Sequence, residues 1–555
     1  MLCRCQYDGE YYFMTVNIIS TTAFKDQKLG TSGLRKKVST FQQPHYVENF
    51  IQSIFNTVGP LKGKLLILGG DGRYLNRTLI QIVLKMAAAN GVGCIKVGKG
   101  GILSTPAVSH LIRKYHAHGG IIFSASHNPG GEQGDCGIKY NISHGGPAPT
   151  SLCNAIFAAS QHLSFYKIVD VSEIDLDRQG TVFIGSMQVD VIDPVADYSA
   201  LMQEIFDFEC IAQAVSEGLN FRFDAMHAVT GPYAQEIFEK CLGFPEGTVV
   251  HGIPLPDFGG KHPDPNLVHA KDLYDLLMSE KGPDLGAASD GDGDRNLIIG
   301  RQQFITPSDS LAIMADHASL IKGYRRGLVG VARSMPTGRA VDCVAEKKGL
   351  NLFETPTGWK FFGTLLDAGK ITFCGEESFG TGSDHVREKD GLWAVLFWLN
   401  LLAVTKKTVA QIAQQHWRTY GRFYFSRYDY EEVESHKAFA MVEQLSACLP
   451  EPGTKVAGLT VEKADDFIYH DPIDHSVSIR QGVRIFFDNG ARLVVRLSGT
   501  GTTGALVRLY LEQYEGDPRK HNQDPQQALH PLKQAAFEVL KIKHHLGREQ
   551  PNIIT

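Results

Sequence analysis

The sequence contains no apolar run long enough to cross a lipid bilayer. The longest run, residues 392–404, is shorter than the roughly 20 apolar residues that a membrane-spanning helix needs, and it contains Asn400. Residues 1–13 lack a basic region followed by an apolar stretch, which excludes a secretory signal. We therefore expect no membrane partner, interpret residues 392–404 as a buried helix, and interpret residues 1–13 as an extension without function.

The sequence also lacks an excess of one charge sign and any ordered arrangement of cysteines. Lys and Arg number 55 against 60 for Asp and Glu, so no basic face is implied and nucleic acid is not an expected partner. The ten cysteines are scattered, no pair has zinc-finger spacing, and their density is far below that of a disulfide scaffold. These features, with 43% hydrophobic and 21% charged residues, predict a globular enzyme of the reducing cytoplasm.

A chain of 555 residues is too long for a single hydrophobic core. Strand and helix patterns alternate in residues 1–199 and again in residues 200–310 and 311–421, whereas residues 422–555 contain mostly strands with a helix at 436–449 and a closing helix at 532–542. The sequence predicts an α/β fold with three similar α/β domains and a distinct α+β C-terminal domain, divided at these boundaries. We interpret residues 515–527 as a surface loop.

The most informative motif is Ser-Ala-Ser-His-Asn-Pro-Gly-Gly at 124–131, directly after the strand-like residues 120–123. Open α/β sheets present reactive groups at the carboxyl ends of their strands, and Ser126 would lie there. His127 beside it is suited to moving protons, and the Asn-Pro-Gly-Gly turn directs the chain away from the sheet. Considered alone, these residues are more typical of a simple serine-rich turn than of a functional site.

A metal site is predicted at Asp-Gly-Asp-Gly-Asp-Arg, residues 290–295. Asp290, Asp292 and Asp294 alternate with glycines, so the backbone can fold tightly and bring three carboxylates to one hard cation, with Mg²⁺ favoured by oxygen ligands. A calcium-binding EF-hand is excluded because its sixth and twelfth positions are Arg295 and Arg301. An acidic hairpin turn is the structural alternative, but three like charges this close repel without a cation.

A phosphate site is predicted in residues 496–504, whose glycines and hydroxyls offer donors between Arg496 and Arg508. The segment also contains G-x-G-x-x-G, but residues 505–511 after it have a strand pattern, whereas dinucleotide binding needs a helix there. Four weaker polar loops accompany it, at residues 31–36, 357–360, 374–380 and 384–390. Together the loops indicate a cation-dependent phosphosugar site shared among four domains.

These motifs, in this order, resemble the α-D-phosphohexomutase superfamily, and its phosphoglucomutase branch most closely through Gly-Glu-Glu-Ser-Phe-Gly at 375–380. The similarity runs from about residue 22 to residue 514. It implies four domains around a central cleft and a reversible exchange of α-D-glucose 1-phosphate and glucose 6-phosphate. Catalysis would pass through a phosphoserine and glucose 1,6-bisphosphate, with Mg²⁺ as cofactor.

The resemblance implies a role for each matching residue. Ser126 would carry the transferred phosphoryl group and, with Asp290, Asp292 and Asp294, bind Mg²⁺. Positive or proton-handling groups around the reacting phosphate would be Arg35, His127, Lys139 and Lys389, with Lys389 as the favoured base because it would lie among cations. Substrate would be bound by Thr31, Ser32, Arg295, Thr357, Gly358, Glu376, Ser378, Arg496, Ser498, Gly499, Thr500 and Arg508.

Two departures from the family pattern stand out. Leu29 replaces the usual proline before Gly-Thr-Ser-Gly, and residues 336–343 read Pro-Thr-Gly-Arg-Ala-Val-Asp-Cys in place of the common Pro-Thr-Ser-Gly-Ala-Leu-Asp-Arg. The second departure alters the charge at the edge of the cleft. Two other functions stay open at this point: a phosphosugar phosphatase that uses the same serine and metal, and a non-catalytic binding paralogue. We expect a monomer or weak dimer.

Overall fold

The computed structural model describes residues 2–7, 10–30, 32–498 and 504–555, with side chains from Thr15 onward. Three units built from a sheet with flanking helices precede a fourth unit of different topology, so the predicted α/β fold class is confirmed. Each unit is named here by its place in the chain. Helices Ala196–Ile205 and Pro307–His317 run across positions 199/200 and 310/311, where the sequence pattern placed domain boundaries.

The first unit has a seven-stranded mixed sheet. Its strands, in spatial order, are Leu34–Lys37, Asp135–Ile142, Gly119–Phe123, Leu65–Gly70, Cys94–Ile102, Met187–Ile192 and Gly180–Ile184. Its helices are Val38–Phe41, Tyr46–Thr57, Asn76–Ala89, Thr105–Lys114 and Thr150–Gln161. A separate antiparallel sheet joins Leu2–Tyr7, Glu10–Ser20 and Phe165–Val169. Four neighbouring strands, from Gly119–Phe123 to Met187–Ile192 in this order, are parallel, so their carboxyl ends meet at one edge.

The second unit has a five-stranded sheet in the order Val249–Val250, Phe221–Asp224, Leu285–Ser289, Asn296–Gly300 and Gln303–Ile305. Its helical segments are Ala196–Ile205, Phe208–Ser216, Thr230–Ala234, the π-helix Gln235–Cys241, the 3₁₀ turn Phe258–Gly260 and Lys271–Met278. The strand Leu285–Ser289 is buried along its whole length and ends at the predicted metal loop.

The third unit has a four-stranded sheet in the order Asn351–Thr355, Gly330–Ser334, Phe373–Glu376 and Gly380–Ser383. Its α-helices are Pro307–His317, Ala340–Lys348, Trp359–Asp367, Gly391–Thr405 and Val409–Tyr420, with 3₁₀ turns at Ala318–Leu320 and Lys322–Tyr324. Its strand Phe373–Glu376 ends within the predicted sugar loop.

The fourth unit has a seven-stranded sheet in the order Lys455–Val456, Leu459–Asp466, Val483–Phe487, Ala491–Ser498, Ala505–Glu515, Arg422–Val433 and Ile553–Ile554, and a small sheet of Tyr469–His470 with Val477–Ser478. Its helices are Ser435–Ala447, Pro525–Ala528, His530–Leu540 and Ile542–Leu546, with a 3₁₀ turn at Pro518–Lys520. The long strands of the main sheet pair antiparallel, unlike the parallel centre of the first sheet.

The helix Gly391–Thr405 is buried on nearly all sides, as the apolar run at 392–404 predicted. It lies in one hydrophobic core that extends through the second and third units. Within the described residues no single helix is both long and apolar enough to cross a bilayer, and only this helix together with Val409–Tyr420, bent by 87° from it, meets that test by length and composition.

Three local predictions need correction. The Thr-Pro pair at 105–106 predicts a helix that begins with a capping Thr105, but the cap is Ser104, whose hydroxyl accepts a hydrogen bond from the amide of Ala107 at 3.2 Å. The single closing helix is two helices, because Lys541 has the left-handed backbone conformation that interrupts the hydrogen-bond ladder. Residues 515–527 include the turn Pro518–Lys520 and the start of helix Pro525–Ala528 and are not one irregular loop.

Candidate active site

Ser126 follows the strand Gly119–Phe123 at its carboxyl end and is 1% exposed. Its backbone has φ of 51°, an unusual value for a residue other than glycine, and such strain is maintained only where neighbouring groups hold it. The amide of Ser126 donates to Ser124 Oγ at 2.7 Å, and the carbonyl oxygen accepts from Arg73 at 2.7 Å. The loop is therefore held from both sides.

The supporting group is a buried ion pair that the sequence analysis missed. Arg73 Nε lies 2.8 Å from Asp71 Oδ2, and Ser124 Oγ donates to the same oxygen at 2.6 Å. Both residues follow the strand Leu65–Gly70, the parallel neighbour of the strand that leads to Ser126. A charged pair directly after a buried strand was the available signal, because the carboxyl ends of parallel neighbours share one edge.

The aspartate loop 290–295 meets the serine loop directly. Asp290 Oδ2 accepts a hydrogen bond from Ser126 Oγ at 2.7 Å, although the two residues come from different units. The backbones approach so closely that a Cβ on Gly291 would lie 2.4 Å from the carbonyl oxygen of Ser126. A glycine is required there because any side chain would force the two loops apart.

The three aspartates are buried and fit a divalent cation. Each of Asp290, Asp292 and Asp294 offers one oxygen, and these oxygens all lie within 4.8 Å of one another. Asp292 Oδ1 is fully buried and has no hydrogen-bond partner among the described residues, which is costly unless a further ligand satisfies it. An all-oxygen donor set of this kind suits Mg²⁺.

The carboxylates of this loop have different electrostatic surroundings. Burial, reinforced by Asp294 and Asp292, raises the pKa of Asp290 well above its usual range. Burial acts the same way on Asp292, but the Lys139 ammonium outweighs it and lowers the pKa of that carboxyl. Thr105 Oγ1 also donates to Asp292 Oδ2 at 2.5 Å, which explains why Ser104 caps the helix instead.

Two lysines contact the aspartates. Burial lowers the pKa of Lys139, but Asp292 and Asp294 outweigh burial and the net shift is upward, so the ammonium is maintained. Lys389 Nζ lies 3.0 Å from Asp294 Oδ1. We expected Lys389 among cations: it shares the cavity with Arg35 and Arg295, and the Asp294 carboxylate also lies beside it.

His127 lies beside Ser126 in a strongly cationic environment. Its Nδ1 is 3.3 Å from Ser126 Oγ, and burial, followed by Arg295, Arg35 and other cations, lowers its pKa well below the usual range. The imidazole is therefore neutral near pH 7. The Nε atoms of Arg35 and Arg295 are buried without hydrogen-bond partners in the described part of the chain, as expected where an anionic ligand binds.

The third unit contributes the predicted sugar loop. Glu376 Oε1 accepts a hydrogen bond from the amide of Gly358 at 2.9 Å, so residues 357–358 and 376–378 form one surface. Gly358 has φ of 127°, which a side chain would strain. Burial raises the pKa of Glu376, and Thr357 Oγ1 is buried without a described partner. These polar groups are available to sugar hydroxyls.

The fourth unit contributes Arg508 and Ser498 to the same cavity, whereas Arg496 is placed differently. Arg496 lies opposite Arg508 across the strand pair, but its Nε donates to the carbonyl of Gln481 at 3.1 Å. Burial lowers the pKa of Arg508, but Asp429 together with Tyr510, Glu377 and Asp264 outweighs burial, and the net shift is upward. Thr31, Gly499 and Thr500 lie outside the described residues.

One cavity brings together most of the predicted site. It is lined by Ser32, Arg35, Ser126, His127, Lys139, Asp294, Arg295, Thr357, Gly358, Glu376, Ser378, Lys389, Ser498 and Arg508. Its lining also includes Asn141, which sequence reasoning missed, and Trp359 and Glu388, which lie in two of the predicted polar loops but were given no role of their own. Burial raises the pKa of Glu388 to about 7, and Asn141 Nδ2 donates to its carboxylate at 2.9 Å. The signal for Glu388 in the sequence was its place in the polar loop 384–390.

Family descriptions match every unit of this arrangement. Those for phosphoglucomutase/phosphomannomutase α/β/α domains I, II and III match residues 26–167, 196–303 and 306–420, and that for the phosphoglucomutase-1 C-terminal domain matches residues 422–552. The chain belongs to the phosphoglucomutase/phosphomannomutase family. The matches to domains II and III begin at or just before the helices Ala196–Ile205 and Pro307–His317.

Curated members of this family are similar over nearly the whole chain. The phosphoglucomutase of Rhizobium radiobacter is 59% identical over 541 residues, covering 97% of this chain and all of that protein. The chloroplastic phosphoglucomutase of Solanum tuberosum is 53% identical, covering 98% of this chain and 88% of that protein.

A solved structure of a family member has the same arrangement. The Paramecium exocytosis-sensitive phosphoprotein parafusin, a phosphoglucomutase solved in an open form, is 47% identical with a TM-score of 0.90. The alignment covers 97% of this chain and 99% of that one.

Proposed function

We propose that the protein is a phosphoglucomutase, an isomerase that exchanges α-D-glucose 1-phosphate and glucose 6-phosphate. The observation that carries this proposal is the hydrogen bond of 2.7 Å between Ser126 Oγ and Asp290 Oδ2, which joins a strained, buried serine to the metal loop of another unit. A turn with only a structural role requires neither the strained backbone of Ser126 nor the buried carboxylates of residues 290–294. A binding paralogue would have no need of the serine.

Ser126 is proposed to carry the phosphoryl group. Phosphorylated Ser126 transfers it to the free hydroxyl of the bound sugar, which gives glucose 1,6-bisphosphate, and later takes the other phosphate back. The cations Arg35, Arg295 and Lys139 face this position and stabilise the charge that develops on the transferred group. Buried arginines already in place act without reorganisation at the moment of reaction.

Asp290, Asp292 and Asp294 are proposed to hold Mg²⁺, which would supply Lewis-acid stabilisation of the phosphoryl oxygens. The loop itself positions these carboxylates, because the amides of Asp294 and Arg295 donate to Asp290 Oδ1 at 2.9 and 3.0 Å. Lys139 offsets part of the remaining negative charge of the loop.

The sugar hydroxyl must lose a proton when it attacks. We propose Lys389 as the acceptor with His127 assisting, because both line the cavity beside Ser126 and the neutral imidazole of His127 has a free electron pair. Glu376 and Ser378 are proposed to bind sugar hydroxyls, and Arg508 with Ser498 to bind the phosphate that does not react. Binding energy at that distant phosphate aligns the sugar for attack.

The experiment is conversion of glucose 1-phosphate to glucose 6-phosphate with Mg²⁺ and catalytic glucose 1,6-bisphosphate, with Ser126→Ala alongside. We expect conversion by the natural chain and loss of at least about 10³-fold in the variant, since the carrier hydroxyl is removed. Ser124→Ala is not a matched control because Ser124 supports the loop. The exposed Ser279, which lies in the second unit, provides one as Ser279→Ala.

The same assay separates the alternatives. Release of inorganic phosphate without glucose 6-phosphate would overturn the proposal in favour of a phosphatase. Binding of glucose 1-phosphate with neither product would indicate a non-catalytic protein. Removal of divalent cations by a chelator should abolish conversion, and Mg²⁺ should restore it.

A further inference from the structure

Arg339 joins the third unit to the fourth through a buried carboxylate. It caps the helix Ala340–Lys348, and its backbone amide and Nε donate to Glu512 Oε2 and Oε1 at 2.7 and 2.5 Å. Its second terminal nitrogen donates to the carbonyl of Gly490 at 2.9 Å. All three contacts are with the fourth unit, so one residue is fastened to two neighbouring segments there.

Glu512 is 1% exposed and belongs to a second pair within its own sheet. Arg492 lies opposite it on the adjacent strand, with a nitrogen 3.2 Å from Glu512 Oε2. Arg492 also donates to the carbonyls of Met335 and Thr337 at 2.9 and 2.8 Å. The segment 335–339 of the third unit is therefore hydrogen-bonded to both strands, Ala491–Ser498 and Ala505–Glu515, at one end of the pair.

The other end of the same strand pair reaches the active-site cavity. Arg508 is four residues before Glu512, so the two side chains share one face of the sheet about 13 Å apart along the strand. Arg508 lines the cavity, and Ser498 of the neighbouring strand does so too. A shift of the strands at Glu512 is transmitted to Arg508, because a paired strand moves as a stiff element.

The segment also contacts the sugar loop. The amide of Glu377 donates to Thr337 Oγ1 at 2.9 Å, and Ser334 Oγ lies 3.3 Å from Glu377 Oε2. Glu377 directly follows Glu376, which faces the cavity. Residues 334–339 thus lie between the groups assigned to the sugar hydroxyls and the strands that carry the distant phosphate site.

We propose that Arg339 is a positioning residue, which through Glu512 sets the place of Arg508 relative to the sugar loop and so governs productive binding of the phosphosugar. This inference rests on the proposed function. It assigns a role to the segment that departs from the family pattern, where the common arginine stands at position 343 and glycine at position 339. Cys343 lies one helical turn beyond Arg339, so an arginine there starts from the same helix face.

The test compares Arg339→Gly, Arg339→Lys and the double variant Arg339→Gly with Cys343→Arg in the full chain. Arg339→Gly leaves Glu512 paired with Arg492, and glycine is accepted at a helix N-cap, so the fold should persist. We expect KM for glucose 1-phosphate to rise about tenfold, with a smaller fall in kcat, because one charged contact that acts on binding is lost. Lysine should give an intermediate KM.

The double variant is the decisive arm, and we expect it to return KM to within about twofold of the natural value. Arg326→Gly, at an exposed arginine of the same unit, is the matched control and should leave KM unchanged. An unchanged KM in Arg339→Gly would overturn the proposal. A raised KM that the second arginine fails to lower would also overturn it, because the effect would then be general damage to the helix.

Calorimetric titration with glucose 1-phosphate separates this inference from the proposed function. If the natural chain binds this compound but does not convert it, the proposed function fails. The affinities of the natural chain, Arg339→Gly and the double variant for glucose 1-phosphate then still test the role of Arg339. In that case the expected result is weaker binding by Arg339→Gly and recovery in the double variant, and equal affinities would overturn the inference.

Discussion

Around Ser126 the protein concentrates opposite charges on side chains that are largely buried. Asp290 meets the serine hydroxyl on one side, and the cations Arg35 and Arg295 face it on the other. Buried charges are tolerated only when oppositely charged or hydrogen-bonding groups lie nearby. The Nε atoms of Arg35 and Arg295 have no such partner among the described residues, so they are available to an anionic ligand. A phosphorylated serine would satisfy the arginines, and a cation held by the aspartates would offset its charge on the other side.

At the residue scale the two arginines of the predicted phosphate site should differ in importance. Arg508 lines the cavity, whereas Arg496 is engaged with Gln481. Arg508→Ala removes a charge-assisted contact worth about 1.5–3 kcal/mol, so kcat/KM for glucose 1-phosphate should fall about 10- to 100-fold. Arg496→Ala should have the smaller effect in the same steady-state assay. An equal or larger loss from Arg496→Ala would contradict this placement.

At the element scale the helix Pro307–His317 contains a carboxylate that burial destabilises. Thr306 caps this helix, accepting from the amide of Asp309 at 3.1 Å, and Asp309 is itself 3% exposed. Burial raises the pKa of Asp309 to about 6, and Arg422 only partly opposes that shift. The helix is therefore less stable with Asp309 ionised than with a neutral group in its place.

The prediction is that Asp309→Asn stabilises the protein in a pH-dependent way. Below about pH 4 both folded and unfolded chains carry the proton, whereas between about pH 4 and 6 only the folded chain does, so stability falls as pH rises. Above about pH 6 both states are ionised, and the decrease in the free energy of unfolding levels off at up to about 3 kcal/mol. Denaturant unfolding at several pH values should show the variant gaining most at pH 7.

The control for this prediction is Asp488→Asn, at an exposed aspartate of the fourth unit, which should leave the pH profile unchanged. Two parallel profiles for Asp309→Asn and the natural chain would mean that Asp309 does not titrate differently on folding.

At the scale of the whole molecule, the units are joined by two kinds of contact. The second and third share one continuous apolar core around helix Gly391–Thr405. The third and fourth meet through a smaller apolar cluster that includes Met335 and Tyr510, and through ion pairs such as Glu354 with Arg484 at 2.5 Å. Apolar cores resist rearrangement, and polar interfaces exchange partners at lower cost. The fourth unit is therefore the part best able to move relative to the cleft.

We predict that ligand closes the fourth unit over the cavity. Closure would exclude water, which the proposed reaction requires because an exposed phosphoserine would hydrolyse. Small-angle scattering of Ser126→Ala should give a smaller radius of gyration once glucose 1,6-bisphosphate is added. Ser126→Ala combined with Arg508→Ala should show less contraction, because Arg508 is the contact that draws the unit inward. An unchanged radius in Ser126→Ala would contradict closure.

Much of this molecule was predictable from local sequence. The periodicity of Leu79, Ile80, Val83 and Leu84 predicted a helix that the structure places at Asn76–Ala89, and the run at 392–404 predicted the buried helix. The spacing of three aspartates predicted a carboxylate cluster, which the structure confirms. These features depend on residues close in the chain, so the chemistry of a short segment suffices.

Only the tertiary structure decided which of those segments meet, and through which atoms. The periodicity of the sequence does not encode the contacts between distant or irregular segments. Examples are the support of Ser126 by Asp71 and Arg73, the helix cap at Ser104, the hydrogen bond of Arg496 to Gln481, and the contact of Arg339 with Glu512. By itself the sequence determined the fold class, the reactive loops and the residue types that they carry. Their exact partners followed from strand order and close approach of backbones, which arise from packing over the whole chain.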